Sequence, residues 1–222
     1  MRSHSDLIAE LGSLANVEQG SDEWLLMRCG VATASKAKEF TAKRDSQTYK
    51  TYLRQKAHEV ISGQLKDQVT AKSLDWGKSN EDAARELYQF ETGNVVLEVP
   101  FIYRDSDKRF GCSPDGLIDP SSGLELKCPI DGAVFIAFVT DEQVKKEYEI
   151  QCQFGMWVSD CDTWQFANYD PRVRGKNLHH IEFKKSDEHF RAFDSRAEEW
   201  ISDMEIILDK FGVKYGEQFT YI

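Results

Sequence analysis

Apolar residues along 48–62 recur at helical spacing: Tyr49, Leu53, Ala57, Val60 and Ile61. The spacing predicts an amphipathic helix, with Gly63 as its stop. Residues 80–92 predict a second helix. Ser79 can cap it, Asp82 stands in a capping-box position, Ala83, Ala84, Leu87 and Tyr88 give it one apolar side, and Gly93 ends it. The period then shortens. Val95–Arg104, Arg109–Leu117 and Leu124–Pro129 are short β-rich runs, and Asp119-Pro120-Ser121-Ser122-Gly123 predicts a tight turn between the second and third. Residues 143–159 predict a helix through Val144, Tyr148, Cys152 and Gly155; Thr163–Tyr169 and Leu178–Lys184 predict two more strands. The last helix is the clearest. Ser186 caps it, Phe190, Phe193, Ala197, Trp200, Met204, Ile207 and Phe211 step along it, and Gly212 closes it. The order predicts an α/β (α+β) fold: a mixed central sheet with helices on both faces. A right-handed helical crossover should join its third and fourth strands. No repeat, low-complexity tract or linker interrupts the pattern, so residues 1–222 are expected to form one domain.

Composition narrows the class. Apolar residues are 41% and charged residues 30%, which excludes collagen, a coiled coil and simple disorder. No apolar run approaches the length of a membrane span, and the first residues lack a signal-peptide core. The five cysteines form no CxxC pair and read as reduced thiols of a cytosolic protein. The net charge of −10 argues against a passive nucleic-acid coat. The charge is uneven, however. Arg28–Lys56 holds eight basic residues against two acidic ones, which leaves −16 on the rest. Such a strip either binds a polyanion locally or is a solvated helix face.

The sharpest chemical signal is Ser113-Pro114-Asp115-Gly116 followed by Glu125-Leu126-Lys127. Strand alternation sends Glu125 and Lys127 to one side and Leu124, Leu126 and Cys128 to the other. The turn would bring Asp115 beside Glu125. Two adjacent carboxylates repel, and a divalent cation relieves the repulsion. Magnesium suits carboxylate and carbonyl oxygens, and the Leu126 carbonyl lies between Glu125 and Lys127. A lysine there can orient or deprotonate a water, or stabilise charge on a phosphate. The plain alternative is a surface hairpin with a Glu–Lys pair. Glu81 has two readings: stabilisation of a helix start through the dipole, or a further acid facing the metal. Gln151 is either an exposed helix residue or a donor to the attacking water or a phosphate.

These residues sit in a wider set: Glu18-Gln19-Gly20, Arg28 with Thr33-Ala34-Ser35, Trp76-Gly77-Lys78, Ile102-Tyr103-Arg104-Asp105, Cys112–Leu117, Gly123–Pro129, Met156-Trp157-Val158, Phe166–Arg172 and Gly216-Glu217-Gln218. The set resembles the lambda exonuclease family, the phage-type alkaline exonucleases of the PD-(D/E)XK nuclease superfamily, from about Val17 to Gln218. The resemblance implies a restriction-endonuclease-like core and a magnesium-dependent enzyme, with manganese as an alternative ion and two ions per site. It implies 5′-to-3′ degradation of linear duplex DNA. Mononucleotides would be released and a 3′ single strand left for annealing recombination. By motif position, Asp115, Glu125 and the Leu126 carbonyl would hold metal, Lys127 would serve the water, and Glu81 and Gln151 would complete the catalytic set. Arg28, Thr33 and Ser35 would bind a DNA 5′-phosphate, and Trp24 and Leu74 would help split the end base pair. The resemblance further implies a homotrimeric ring on double-stranded DNA ends, a single-strand annealing protein as partner, no membrane, and a phage or prophage protein in the bacterial cytoplasm. The segment from Lys43 to about Tyr52 departs from the pattern, which leaves open which of Lys43, Arg44 and Lys50 touches DNA. Two alternatives stand beside the exonuclease: a site-specific endonuclease, and a non-catalytic DNA-end-binding recombination scaffold.

Overall fold

A computed structural model describes residues 3–65, 72–118 and 121–221, apart from the side chains of 72–75, 78, 220 and 221. The chain opens with α1 (His4–Leu11), a 3-10 turn, α2 (Asp22–Met27), β1 (Ala32–Thr33) and the short α3 (Ala37–Phe40). Then come α4 (Gln47–Ser62), α5 (Lys72–Thr92), β2 (Val96–Leu97), β3 (Ile102–Tyr103), β4 (Phe110–Cys112), β5 (Gly116–Ile118) and β6 (Ser122–Lys127). The remainder is α6 (Gly132–Asp141), α7 (Lys146–Ser159), β7 (Thr163–Tyr169), β8 (Leu178–Lys184) and α8 (Asp187–Leu208), with 3-10 turns after it.

Where pattern and cap agreed, the elements fall as expected. Ser46 caps α4 and Gly63 ends it in the left-handed conformation. Ser186 caps α8, which ends at Leu208 with the last expected turn, up to Gly212, wound as a 3-10 helix; β7 and β8 have the expected bounds. The second predicted helix starts a good two turns earlier than Ser79, at Lys72. Ser79 is therefore no N-cap, and the dipole explanation for Glu81 falls with it. The helices α1, α2, α3 and α6 were not anticipated; α6 is capped by Asp131. The turn expected over 119–123 is shorter, since Ser122 and Gly123 already pair with Ile118 and Leu117. Asp119 and Pro120 lie outside the described residues.

Two of the predicted strands are each broken in half. Val95–Arg104 becomes β2 and β3, and Arg109–Leu117 becomes β4 and β5. Pro100 and Pro114 stand near the breaks, where a residue without an N–H cannot continue a ladder. The halves go to different sheets. One sheet has the order β1-β4-β3, the other β2-β5-β6-β7-β8. β6 and β7 are parallel, joined through α6 and α7, and the other pairings of the larger sheet are antiparallel. Both chain segments thus cross from one sheet to the other side by side.

The larger sheet is covered on both faces. Ala84 and Tyr88 of α5 pack on Leu124, Leu126, Ala167 and Leu178. On the other face Phe154 and Trp157 of α7, with Phe193 and Trp200 of α8, form the main core. Aromatic edges interlock there, Phe40 meeting Phe110, Phe154 and Trp200 at ring separations of 5.5–5.7 Å. No helix among the described residues is long and apolar enough to cross a membrane.

Candidate active site

The crossing between sheets leaves main-chain carbonyls without ladder partners, and side chains take them up. Gln19 Nε2 donates to Val99 O at 2.9 Å and to Pro114 O at 3.1 Å. Trp24 Nε1 donates to Pro100 O at 2.8 Å and also reaches Ser113 Oγ at 3.1 Å. Arg85, which is buried, donates from Nε to Asp115 O at 3.1 Å. A partly buried carbonyl left bare would cost about 1–3 kcal/mol, so each of these bonds fixes the joint.

Asp115 follows the break directly. Its N–H still pairs with Leu124 O at 3.0 Å, while its Oδ2 accepts from Leu126 N at 2.6 Å. The carboxylate therefore replaces a strand partner and is pinned against β6. On β6 the alternation holds. Leu124 and Leu126 are buried toward α5 with Cys128 packed beside them, and Glu125 and Lys127 face the α7 side. Lys127 Nζ bonds Glu125 Oε1, and Gln151 Nε2 of α7 donates to the same oxygen at 2.6 Å. The Lys127 ammonium also lies 5.3 Å from the centre of the Tyr148 ring.

The spacing of α7 over β6 has its own cause. Trp164, paired with Gly123 across the β6–β7 ladder, fills the space between sheet and helix. A Cβ at Gly123 would come within 2.3 Å of its ring, and one at Gly155 within 2.7 Å. Gly123 and Glu125 share a strand face, and Gly155 and Gln151 share a helix face one turn apart. The glycine–indole–glycine stack thus brings the Glu125–Gln151 pair into contact two residues along.

Electrostatics mark the same place. Burial raises the Asp115 carboxyl well above its ordinary value, and the charges of Glu125 and Glu81 add to the rise. Glu81 is also raised, first by burial, although Arg85 and Lys127 pull against it. For Lys127 burial acts downward, but Glu125 and Asp115 outweigh it and hold the ammonium above the usual lysine value. Glu81 is therefore within electrostatic reach of Glu125 and Lys127, and its Oε1 accepts from Arg85 NH2 at 3.1 Å. Arg85 was not anticipated. Its signal was the i,i+4 spacing from Glu81 within the helix predicted over 80–92.

Among the described residues no three or more His, Cys, Asp or Glu side chains gather at metal-ligand spacing. The carboxylate donors here are Asp115, just before β5, and Glu125 on β6, with main-chain carbonyls beside them. Crowded carboxylates, of which Asp115 has a raised proton affinity, fit a hard divalent cation that keeps part of its water shell.

The second predicted cluster is assembled differently. Arg28 NH1 donates to Ser113 Oγ at 3.0 Å, and its guanidinium lies 4.2 Å from the centre of the Trp24 ring. Thr33 and Ser35 bring their hydroxyls to 3.4 Å of each other, and Thr33 N donates to Tyr52 OH at 3.0 Å. Ser113, two residues before Asp115, is the unanticipated member. The indole N–H of Trp24 is committed to the joint, and the Leu74 side chain lies outside the described residues. The basic strip is not one face. Lys56 is buried against Glu59 at 2.8 Å, and Lys36, Lys38 and Arg44 pair with Glu39, Glu147 and Asp203. Lys43, Lys50 and Arg54 remain exposed.

A model of the YqaJ-like viral recombinase domain matches residues 23–162. The uncharacterized protein ExoD of Escherichia coli (strain K12) is 37% identical over 78 residues, which are 35% of this chain and 90% of that one. Among solved structures, LHK-Exo in complex with dAMP superposes at a TM-score of 0.78 and 23% identity, covering 86% of this chain and 96% of that chain. A second structure of LHK-Exo, an alkaline exonuclease from Laribacter hongkongensis, gives 0.75 at 24% identity over 86% and 98%. A phage related exonuclease from Haemophilus somnus 129PT gives 0.67 at 16% identity over 82% and 96%. The chain shares the fold of the alkaline exonuclease LHK-Exo.

Proposed function

The chain belongs to the YqaJ-like viral recombinase family, and from that premise we propose that it is a magnesium-dependent exonuclease. It degrades linear double-stranded DNA 5′ to 3′, releases 5′-mononucleotides and leaves a 3′ single strand for annealing recombination. One observation carries the reading: Asp115 at a strand break, Glu125 and Lys127 on the facing strand and Gln151 on α7 converge on one spot. The fold it shares with alkaline exonucleases supports it, and the dAMP bound to LHK-Exo is a mononucleotide.

Asp115 and Glu125, with the Leu126 carbonyl, would hold the metal; manganese is the alternative ion, and two ions per site are expected. When bound, the metal supplies charge neutralisation and an activated water. The protein's part is positional. Lys127, kept as an ammonium by its acidic neighbours, orients the water and stabilises charge growing on the scissile phosphate; in that state it is no base. Gln151 has an N–H group to turn from Glu125 to the water or a phosphate oxygen. Glu81, with Arg85, closes the acidic side. Arg28, Ser113, Thr33 and Ser35 bind the terminal 5′-phosphate, for which a guanidinium and hydroxyls are apt donors. Ser113 and Asp115 share one short segment, so an end held by Arg28 lies in register with the hydrolytic centre. Trp24 and Leu74 then flank the end base pair. We further propose a homotrimeric ring that works with a single-strand annealing protein in the bacterial cytoplasm.

The test is a linear duplex with one 5′-phosphorylated and one 5′-hydroxyl end, each strand labelled, in magnesium. Mononucleotides from the phosphorylated strand are expected. Cleavage of a closed circle would support an endonuclease instead, and end binding without loss of DNA would sink the enzyme reading.

A further inference from the structure

The strand breaks create a mechanical problem that Gln19 solves. Val99 lies between β2 and β3 and Pro114 between β4 and β5, and each carbonyl lies where the chain leaves one sheet for the other. A primary amide has two N–H bonds. Gln19 Nε2 lies 2.9 Å from Val99 O and 3.1 Å from Pro114 O, so one amide nitrogen ties both crossings together across 80 and 95 residues of chain.

The Pro114 carbonyl belongs to the peptide plane that carries the Asp115 N–H, so fixing that oxygen fixes the plane. On the far side of Asp115, Arg85 Nε fixes the next carbonyl, that of Asp115 itself, at 3.1 Å. Between them the Asp115 N–H is held by Leu124 O at 3.0 Å. Both peptide planes flanking the Asp115 Cα are thereby anchored, and the direction of its Cβ follows from them. A small swing there would move the carboxylate off Leu126 N and out of line with Glu125. Gln19 itself is uncharged and half-buried, and every polar contact the structure gives it is to main chain of the joint.

We propose that Gln19 is a positioning residue that aims the Asp115 carboxylate at the divalent-cation site. The inference rests on the reading of Asp115 as a metal-holding group. It predicts a loss of metal affinity and turnover with little change in the binding of DNA ends.

The test uses the full chain with Gln19→Glu, which keeps the shape but offers two carbonyls a carboxylate, and Gln19→Leu, which removes the donors without adding charge. Manganese binding is measured by calorimetry without DNA; kcat and KM are measured on a 5′-phosphorylated duplex. Expected are a fall of about tenfold or more in manganese affinity, a comparable fall in kcat, a KM within about twofold and a nearly unchanged melting temperature. Wild-type manganese affinity and kcat in both variants overturn the proposal. So does a general loss of melting temperature in both, since Gln19 would then merely hold the fold. Asp115→Asn is the control for the underlying reading. If it leaves manganese binding intact, the metal assignment falls, and this inference with it. If it abolishes manganese binding but the wild type cuts no DNA, only the exonuclease reading fails, and Gln19 is judged on calorimetry.

Discussion

Two ionic clusters flank the Ser113-Pro114-Asp115 segment, and both bury charge. Beneath Arg28, Lys56 and Glu59 pair at 2.8 Å, and Glu59 also accepts from Gly30 N at 2.9 Å. That pair is balanced, so the nearby Arg28 leaves the region with a positive surplus. Burial lowers both cations below their usual values, Lys56 despite its partner. On the other side, Asp115, Glu125 and Glu81 face Lys127 and an Arg85 that is shared with Asp82 and Glu98. That cluster keeps a negative surplus. The balanced pair is scaffold, because its charges are spent on each other. The two surpluses are the parts still open to a ligand: an anion at Arg28 and a cation at Asp115 and Glu125.

The comparison can be broken from either side. The largest effect should come from Glu59→Ala, which strands a buried lysine and should cost about 3–5 kcal/mol in denaturant melts. Replacing Lys56 and Glu59 together by apolar residues should cost much less. If the single and double variants are equally stable, the pair is not the balanced unit described. Next is Lys127→Ala. Turnover should fall on the order of 10²–10³-fold, the range found for one stabilising donor, while binding of duplex ends in a gel-shift assay persists. A near-normal rate would return the Glu125–Lys127 pair to ordinary surface chemistry. Gly155→Ala should cost about 2 kcal/mol by overpacking Trp164, and should slow turnover by parting Gln151 from Glu125. Stability loss with full activity would separate the helix spacing from the site.

The smallest effect sharpens the comparison by showing a third kind of pair, with one partner buried and the other exposed. Asp170, 2% exposed, is held by Arg172, which pulls its carboxyl below the ordinary value. A lowered carboxyl stabilises the fold above its unfolded value and loses that contribution as pH falls through the folded one. Asp170→Asn should therefore cost about 1 kcal/mol at neutral pH, and the gap to wild type should close in acid. A gap independent of pH would mean that charge plays no part.

Much of this was legible in the chain. α4 and α8 combine strong periodicity with a clear end signal, Gly63 for the first and Ser186 for the second, β7 and β8 are uninterrupted β-rich runs, and strand alternation alone put Glu125 and Lys127 opposite Leu124 and Leu126. Motif position named Gln151, which the structure sets on Glu125; it grouped Arg28 with Thr33 and Ser35, whereas the contact of Arg28 is to Ser113. What was hidden is what local pattern cannot carry. The joint depends on Gln19, Trp24 and Arg85, which act on carbonyls 30 to 95 residues away. The two prolines were visible, but not that each moved its strand to a different sheet. The start of α5 was misread because Ser79 and Asp82 imitate a cap inside a longer helix. The basic strip looked continuous in one dimension and is divided in three.

The Trp164 ring between Gly123 and Gly155 has a consequence for how the centre can adapt. The gap between α7 and β6 is gauged by the thickness of one indole, a rigid body with no rotamer that makes it thinner. The helix cannot creep toward the sheet to suit a smaller ion, nor settle after a lost contact. Adjustment at the centre falls to the ends of the Gln151 and Lys127 side chains, so a change in ion size should be felt there before it is felt in the backbone.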